Sequence, residues 1–133
     1  MNKGFEIEVK RFIDAAHQLP DSKDLITKKC ANLHGHTYYI KVLISGVNDS
    51  SGMVIDFSGI KNIIDELDHK YINDIFKASM VWEKEPTTAE NIAKFICLKI
   101  NAIYTHIRVE KVMVCEGYKG ESSNWVTYYN PYE

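Results

Sequence analysis

The sequence lacks the features typical of a secreted, membrane-spanning or nucleic-acid-binding protein. Its 133 residues include only three cysteines, and none of them forms a Cys-x-x-Cys pair. An odd and widely spaced set argues against a disulfide framework and fits a reducing cytoplasm. No charged-then-apolar leader and no long apolar run is present, so we expect neither secretion nor membrane spanning. The net charge of −2 provides no overall attraction to nucleic acid or anionic lipid.

The composition is that of an ordinary globular protein. Apolar residues make up 45% of the chain and charged residues 26%, both close to the average for folded domains. A chain of this length is large enough to bury a core. We therefore expect a single domain over residues 1–133.

Three histidines are the most informative residues. His34 and His36 begin an apolar-rich run that predicts a strand from about His34 to Val47. Residues i and i+2 of a strand point to the same side, so both imidazoles would face one way. His17 lies on the apolar face of the first predicted strand if that strand continues without a bulge. Three histidines without an obvious fourth ligand favour a zinc site with one open position, although hydrogen-bonded core histidines are the alternative.

The hydrophobic pattern predicts the order strand, strand, helix, helix, strand, strand. Alternation begins at Phe5, and Asp56 is a suitable N-cap for the first helix. Thr87 or Thr88 would cap the second helix, and Thr87 with Glu90 has the spacing of a capping box. The last two strands are predicted over 108–116 and 125–129. This ββααββ order indicates an α+β fold with a four-stranded antiparallel sheet covered on one face by two helices. The first helix has one apolar stripe, formed by Ile60, Ile63, Ile64, Leu67 and Tyr71.

Over essentially its whole length the chain resembles the 6-pyruvoyl-tetrahydropterin and 6-carboxy-tetrahydropterin synthase family. The most specific motifs are Cys30-x-x-x-His34-Gly35-His36 and Leu67-Asp68-His69. Five further motifs accompany them: Ala15-Ala16-His17, Gly52-Met53-Val54-Ile55-Asp56-Phe57, Tyr71-Ile72-Asn73-Asp74, Pro86-Thr87-Thr88-Ala89-Glu90-Asn91 and Val114-Cys115-Glu116.

The resemblance implies a tunnelling fold that assembles as trimers paired into homo-hexamers. Active sites would lie between subunits, each with one zinc ion, and the substrate would be 7,8-dihydroneopterin triphosphate. Three residues separate Cys30 from His34, as in the bacterial 6-carboxy-tetrahydropterin synthases of queuosine biosynthesis. The expected products are therefore 6-carboxy-5,6,7,8-tetrahydropterin, acetaldehyde and triphosphate.

The resemblance also implies roles for residues of the catalytic centre. His17, His34 and His36 would bind zinc, and Cys30 would be the general base. Asp68 and His69 would complete a relay with the cysteine of a neighbouring subunit. On the sequence alone, an Asp-His pair at a helix end is more often a solvated C-terminus.

Substrate recognition would depend on a second group of residues. Glu116 would accept two N–H bonds from the pterin edge, and it follows two valines on a core-type strand face, where an unpaired charge is unfavourable. Thr87, Thr88 and Glu90 would contribute further pterin contacts, although helix capping also explains them. Lys28 and Lys29 are candidates for the triphosphate.

Two features depart from the family pattern, and three other functions compete. One extra residue lies within 87–91, so either threonine is able to face the ligand, and the segment 117–124 is longer than typical. The nearest rival is 6-pyruvoyl-tetrahydropterin synthase, which retains the three-carbon side chain. A non-catalytic pterin-binding module would be expected to lose Cys30 or the Asp68-His69 pair. Aldolase-like cleavage would release glycolaldehyde.

Overall fold

A computed structural model describes residues 4–20 and 28–133, which form one four-stranded sheet and three α-helices. Short 3₁₀ turns lie at Lys28–Ala31 and Gly120–Ser122. The strands are β1 (Phe5–His17), β2 (His34–Gly46), β3 (Arg108–Glu116) and β4 (Trp125–Tyr129); the helices are α1 (Phe57–Asp65), α2 (Ile72–Lys77) and α3 (Ala89–Ile103).

The sheet is antiparallel, with the strands in chain order β1-β2-β3-β4. β1 runs without a bulge to His17, which pairs with His34, while Tyr38 pairs with Glu116 on β3. Because the strands alternate in direction, this register brings the end of β1, the start of β2 and the end of β3 to one end of the sheet. All three candidate zinc ligands and Glu116 therefore lie at that end.

The helices cover one face of the sheet and enclose the core. α1 and α2 pack against β1, and α3 packs against β3 and β4. Burying one isoleucine or valine side chain fully stabilises the fold by about 1.5–3 kcal/mol relative to leaving it exposed. Many side chains on this face are fully buried, among them Tyr38, Ile40, Val42, Ile44, Val109, Val112 and Val114.

The predicted α+β class and strand order are confirmed, but the first helix is shorter than its apolar stripe indicates. α1 ends at Asp65, and the backbone N–H groups of Leu67 and Asp68 bond to carbonyls three residues earlier rather than four. His69 then adopts a positive φ of 58°, which a right-handed helix does not allow. Tyr71 therefore lies outside α1, and the short helix α2 follows as a third helix.

The N-cap predictions have different outcomes. Asp56 caps α1 as predicted, because its side chain accepts a bond from the Ser58 N–H. At α3 the N-cap is Thr88, whose hydroxyl accepts from the Asn91 N–H at 3.3 Å. The predicted capping box of Thr87 and Glu90 is therefore wrong by one residue.

Within the described ranges, no helix has both the length and the apolarity needed to cross a membrane. The predicted loop from Leu19 to Lys29 falls largely on residues 21–27, outside the described residues.

Candidate metal centre and adjoining cleft

The three predicted ligands converge on one point. His17 ends β1, and His34 and His36 begin β2, two residues apart on the same strand face. One ring nitrogen from each lies within 4.8 Å of the other two. His17 is buried, and the other two are partly buried. This spacing is short enough for one ion to bind all three imidazoles.

Backbone carbonyls orient two of the rings. Nδ1 of His17 donates to the Thr87 carbonyl at 2.7 Å, and Nδ1 of His34 donates to the Asn32 carbonyl at 2.7 Å. A proton on Nδ1 leaves Nε2 of a neutral imidazole as a free lone pair, which is how metal-binding histidines are usually held.

Two ring nitrogens of the histidine cluster have no hydrogen-bond partner, although both are buried. Nε2 of His17 and Nε2 of His36 are buried and make no hydrogen bond. A buried polar atom without a partner is unfavourable by about 1–3 kcal/mol. A metal ion bound to the three Nε2 atoms would relieve this cost, so the residues present fit zinc with an open fourth position.

Burial favours the neutral form of two of the imidazoles, His17 and His36. Burial lowers the pKa of His17, and this effect outweighs the Thr87 carbonyl and Glu116, both of which favour the protonated ring. Burial likewise lowers the pKa of His36, again against the influence of Glu116. Both rings are thus in the form that binds metal at neutral pH.

Glu116 lies against the histidine cluster at the end of β3. Its Oε1 is 3.2 Å from Nε2 of His17 and 3.5 Å from Nε2 of His36, without the alignment of a hydrogen bond. The hydroxyl of Tyr38 donates to the same oxygen at 3.4 Å. Burial, followed by Glu116, raises the pKa of Tyr38, so the phenol remains a donor. The Glu116 side chain is 36% exposed and therefore also reaches solvent.

A cleft of about 320 Å³ opens beside Glu116. Thr88 and Glu90, at the start of α3, line it together with Glu116. The sequence left open which threonine faces this space, and the structure places Thr88 there. Thr87 is 1% exposed and does not line the cleft. Six further lining residues were not predicted: Leu19, Ala89, Val114, Asn124, Trp125 and Val126.

Only some of these unpredicted lining residues carry a feature in the sequence that marks them as candidates for a functional site. Leu19 and Val114 look like ordinary apolar residues. Asn124 belongs to the segment 117–124 that is longer than the family pattern, which was the one available signal.

The Asp68-His69 pair is held at the outer side of β1. Oδ1 of Asp68 accepts from the Asp14 backbone N–H at 2.9 Å and lies 3.0 Å from Nδ1 of His69. The Asp14 carbonyl in turn accepts from the His69 N–H at 2.6 Å. The Asp14 N–H, and to a smaller degree His69, lowers the pKa of Asp68. His69 is 79% exposed and lines an open cleft of about 590 Å³ with His36 and Lys70.

Cys30 lies in the 3₁₀ turn before β2 and is partly buried. Its carbonyl accepts from the Leu19 N–H at 2.8 Å, which holds the turn against the end of β1. Within residues 4–20 and 28–133, its sulfur belongs neither to the three-histidine cluster nor to the group formed by Asp14, Asp68 and His69. Lys29 is exposed, and the Lys28 side chain lies outside the described part of the structure.

Comparison with known proteins identifies the family. The family profile described as 6-pyruvoyl tetrahydropterin synthase matches residues 6–131. The 6-carboxy-5,6,7,8-tetrahydropterin synthase of Haemophilus influenzae is 40% identical, with the match covering 69% of this chain and 79% of the relative. The protein of the same name from Synechocystis is 35% identical, over 65% of this chain and 67% of the relative.

A solved structure gives the same result for the fold. The 6-pyruvoyl tetrahydropterin synthase of Caenorhabditis elegans superposes with a TM-score of 0.64 at 25% identity, covering 98% of this chain and 99% of that one. The predicted tunnelling fold is thereby confirmed. The chain belongs to the 6-pyruvoyl tetrahydropterin synthase family of pterin synthases, with curated relatives in its 6-carboxy-tetrahydropterin branch.

Proposed function

We propose that this chain is a zinc-dependent 6-carboxy-5,6,7,8-tetrahydropterin synthase acting in queuosine biosynthesis. It converts 7,8-dihydroneopterin triphosphate to 6-carboxy-5,6,7,8-tetrahydropterin, acetaldehyde and triphosphate. The proposal rests on the cluster of three imidazoles beside a cleft lined by Glu116, in which Nε2 of His17 and Nε2 of His36 are buried without a hydrogen bond.

His17, His34 and His36 hold one zinc ion per subunit through Nε2. Bound there, zinc supplies Lewis-acid polarisation that makes the side-chain hydroxyls of the substrate and the neighbouring C–H more acidic. The carbonyls of Thr87 and Asn32 fix two rings in the ligating tautomer. The burial that lowers the pKa of His17 and His36 keeps protons from competing for these nitrogens at neutral pH.

Glu116 anchors the pterin. A carboxylate takes two parallel N–H bonds from the 2-amino group and ring N3 of a pterin, a geometry that distinguishes this edge from most other ligands. Glu116 offers such a carboxylate at the boundary between the metal centre and the 320 Å³ cleft. Thr88 and Glu90 line the same cleft and contact the ring from the start of α3.

Cys30, Asp68 and His69 move protons at the side-chain carbons of the substrate. Cys30 is the base, and the Asp68 carboxylate orients the His69 ring at 3.0 Å. In the described part of one chain, the Cys30 sulfur is not part of the group formed by Asp14, Asp68 and His69. A site shared between neighbouring subunits of a hexamer accounts for this separation.

The carboxy product is favoured over the pyruvoyl product by the three-residue spacer between Cys30 and His34 and by the names of the bacterial relatives. The family profile and the Caenorhabditis elegans neighbour bear the pyruvoyl name, so 6-pyruvoyl-tetrahydropterin synthase is the second candidate. The proposal includes a single domain per chain and a cytoplasmic location, the latter from the three free cysteines.

Product analysis tests the proposal. The zinc-loaded protein is incubated with 7,8-dihydroneopterin triphosphate, and the products are identified by mass beside Cys30→Ala and, as a control, Cys97→Ala, whose thiol is buried in α3. We expect carboxy-tetrahydropterin and acetaldehyde from the wild type and the control, and neither from Cys30→Ala. Pyruvoyl product would transfer the chain to the other branch, and glycolaldehyde would indicate aldolase-like cleavage. Tight pterin binding without turnover would indicate a non-catalytic module.

A further inference from the structure

We infer that Asn73 is a positioning residue for the metal centre: it binds the backbone of Gln18, the residue after His17, and it binds Thr87, which holds the His17 ring. The inference rests on the proposed function, because it concerns the ligand set of the same site. Asn73 lies on α2, which is not adjacent in sequence to any of the three histidines.

Asn73 pairs with the backbone directly beyond His17. Oδ1 of Asn73 accepts from the Gln18 N–H at 2.9 Å, and Nδ2 of Asn73 donates to the Gln18 carbonyl at 2.7 Å. Only one orientation of the amide satisfies both bonds. The side chain thus acts as a substitute strand partner for the residue directly after His17, where β1 ends.

Asn73 also binds the loop that holds the His17 ring. The hydroxyl of Thr87 donates to Oδ1 of Asn73 at 3.1 Å. The carbonyl of the same Thr87 accepts from Nδ1 of His17 at 2.7 Å. Since Thr87 is 1% exposed, water is not available to replace these bonds. Asn73 therefore fixes the residue that sets the tautomer and orientation of a metal ligand.

Hydrogen bonds from Gln18 and Leu19 also reach the turn that carries Cys30. Nε2 of Gln18 donates to the Ala31 carbonyl at 2.5 Å, and the Leu19 N–H donates to the Cys30 carbonyl at 2.8 Å. The Gln18 backbone that Asn73 holds is thus continuous with the segment that supports this turn.

Apolar packing holds α2, the helix that carries Asn73, in place. It has only six residues, too few to be stable without packing, and it is anchored by Ile72 and Phe76, which are 0% and 1% exposed. The apolar contacts of α2 therefore hold the helix in place, while the Asn73 amide is directed at β1 and at the loop before α3. Its removal should affect the metal centre more than the helix.

Metal affinity and ligand geometry are the properties that test this role. Asn73→Ala removes all three bonds, and Thr87→Val removes the hydroxyl but keeps the carbonyl that holds His17. Asn130→Ala is the matched control, since that buried amide also binds backbone, at the Val109 carbonyl (2.8 Å) and the Tyr132 N–H (3.1 Å). Asn130 lies near the start of β3, at the other end from Glu116.

Zinc affinity is measured by competition with a chromophoric chelator, and ligand geometry by the visible spectrum of the cobalt-substituted protein. We expect Asn73→Ala to weaken zinc binding about 10-fold and to change the cobalt bands, because groups that hold and orient metal ligands typically contribute 10- to 100-fold to metal affinity. Thr87→Val should change both in the same direction by a smaller amount. Asn130→Ala should lower the unfolding temperature but leave affinity and spectrum as in the wild type.

The inference is overturned if Asn73→Ala binds zinc with wild-type affinity and an unchanged cobalt spectrum, or if Asn130→Ala loses affinity equally. If Asn73→Ala does not fold, Asn73→Asp decides by the same two readouts, because it keeps an acceptor for the Gln18 N–H and the Thr87 hydroxyl but loses the donor to the Gln18 carbonyl. A wild-type protein that binds no zinc among its histidines would instead overturn the proposed function.

Discussion

The Glu116 side chain lies between the histidine cluster and the cleft beside α3. Its Oε1 faces the two unpartnered imidazole nitrogens and the Tyr38 hydroxyl, while the side chain also lines the cleft beside α3. A carboxylate at this boundary lets one residue set the position of the pterin relative to the metal. Its contribution should therefore appear in substrate binding and not in metal binding.

Replacing Glu116 by glutamine tests this division of roles. The amide keeps one acceptor oxygen but presents N–H groups to the N–H donors of the pterin. Hydrogen bonds to a charged group contribute about 1.5–3 kcal/mol, so we expect KM for the pterin substrate to rise about 10- to 100-fold. The zinc content should remain one per chain. An unchanged KM in steady-state kinetics would remove Glu116 from the pterin site.

The contribution of Asp68 to the stability of the fold should depend on pH. The Asp14 N–H and His69 lower its pKa from the ordinary value of 3.8. A lowered pKa in the folded state adds stability above the unfolded-state pKa, and this stability disappears as the pH falls through the folded-state value. Asp68→Asn should therefore be less stable than the wild type at pH 7, and the difference should shrink below about pH 4. Urea unfolding at pH 7 and pH 3 checks this, and an equal difference at both pH values would contradict it.

The candidate ligands were predictable at the residue scale, whereas the groups that orient them were not. The i, i+2 spacing of His34 and His36 determines their shared face, and the period of β1 places His17 opposite them. The carbonyl that holds His17 belongs to Thr87, 70 residues away. A main-chain acceptor carries no side-chain signal, so only the three-dimensional structure shows that the Thr87 carbonyl holds the candidate ligand His17 while Thr88 lines the cleft.

At the scale of elements, apolar periodicity predicted the strands better than the first helix. The bounds of β3 and β4 agree with the prediction, and both segments are rich in the valine and aromatic residues that favour strands. The apolar stripe of α1 continues through Leu67, but the helix does not. The backbone at His69 leaves the helical region and bonds to the Asp14 carbonyl instead. This long-range bond overrides the local periodicity and creates the exposed Asp68-His69 corner.

The start of α3 supports a prediction about helix stability. The Thr88 hydroxyl accepts from the Asn91 N–H, one of the donors that a helix leaves unpaired. Thr88→Ala should lower the free energy of unfolding by about 1 kcal/mol, whereas Thr88→Ser keeps the acceptor and should lower it by only a few tenths. Chemical denaturation of both variants makes the comparison. Equal losses would show that capping is not the role of this hydroxyl.

At the scale of the whole molecule, the sheet face opposite the helices carries exposed aromatic side chains. Phe12 is 52% exposed and stacks on Tyr39 at 4.1 Å, and Tyr118 packs edge-on against both. Contiguous exposed apolar surface of this kind commonly marks an interface. It is consistent with the proposed homo-hexamer, in which neighbouring subunits complete one another's active sites.

Shared active sites predict complementation between inactive variants. Cys30→Ala and His69→Ala should each be inactive as pure assemblies. In an assembly formed from both variants, some sites pair the intact Cys30 of one subunit with the intact His69 of its neighbour. With random pairing in a symmetric ring, up to about a quarter of the sites have both intact residues. Activity assays on the mixed and reassembled proteins measure this fraction. Continued inactivity of the mixture would show that each chain supplies both residues to its own site.

Diffraction at the zinc absorption edge, from crystals of the zinc-loaded protein with a bound pterin, tests the central claim most directly. We expect one anomalous peak per chain, about 2.0–2.1 Å from nitrogens of His17, His34 and His36, with the pterin edge on Glu116. A peak away from these histidines, no peak at all, or a pterin bound outside the Glu116 cleft would contradict it.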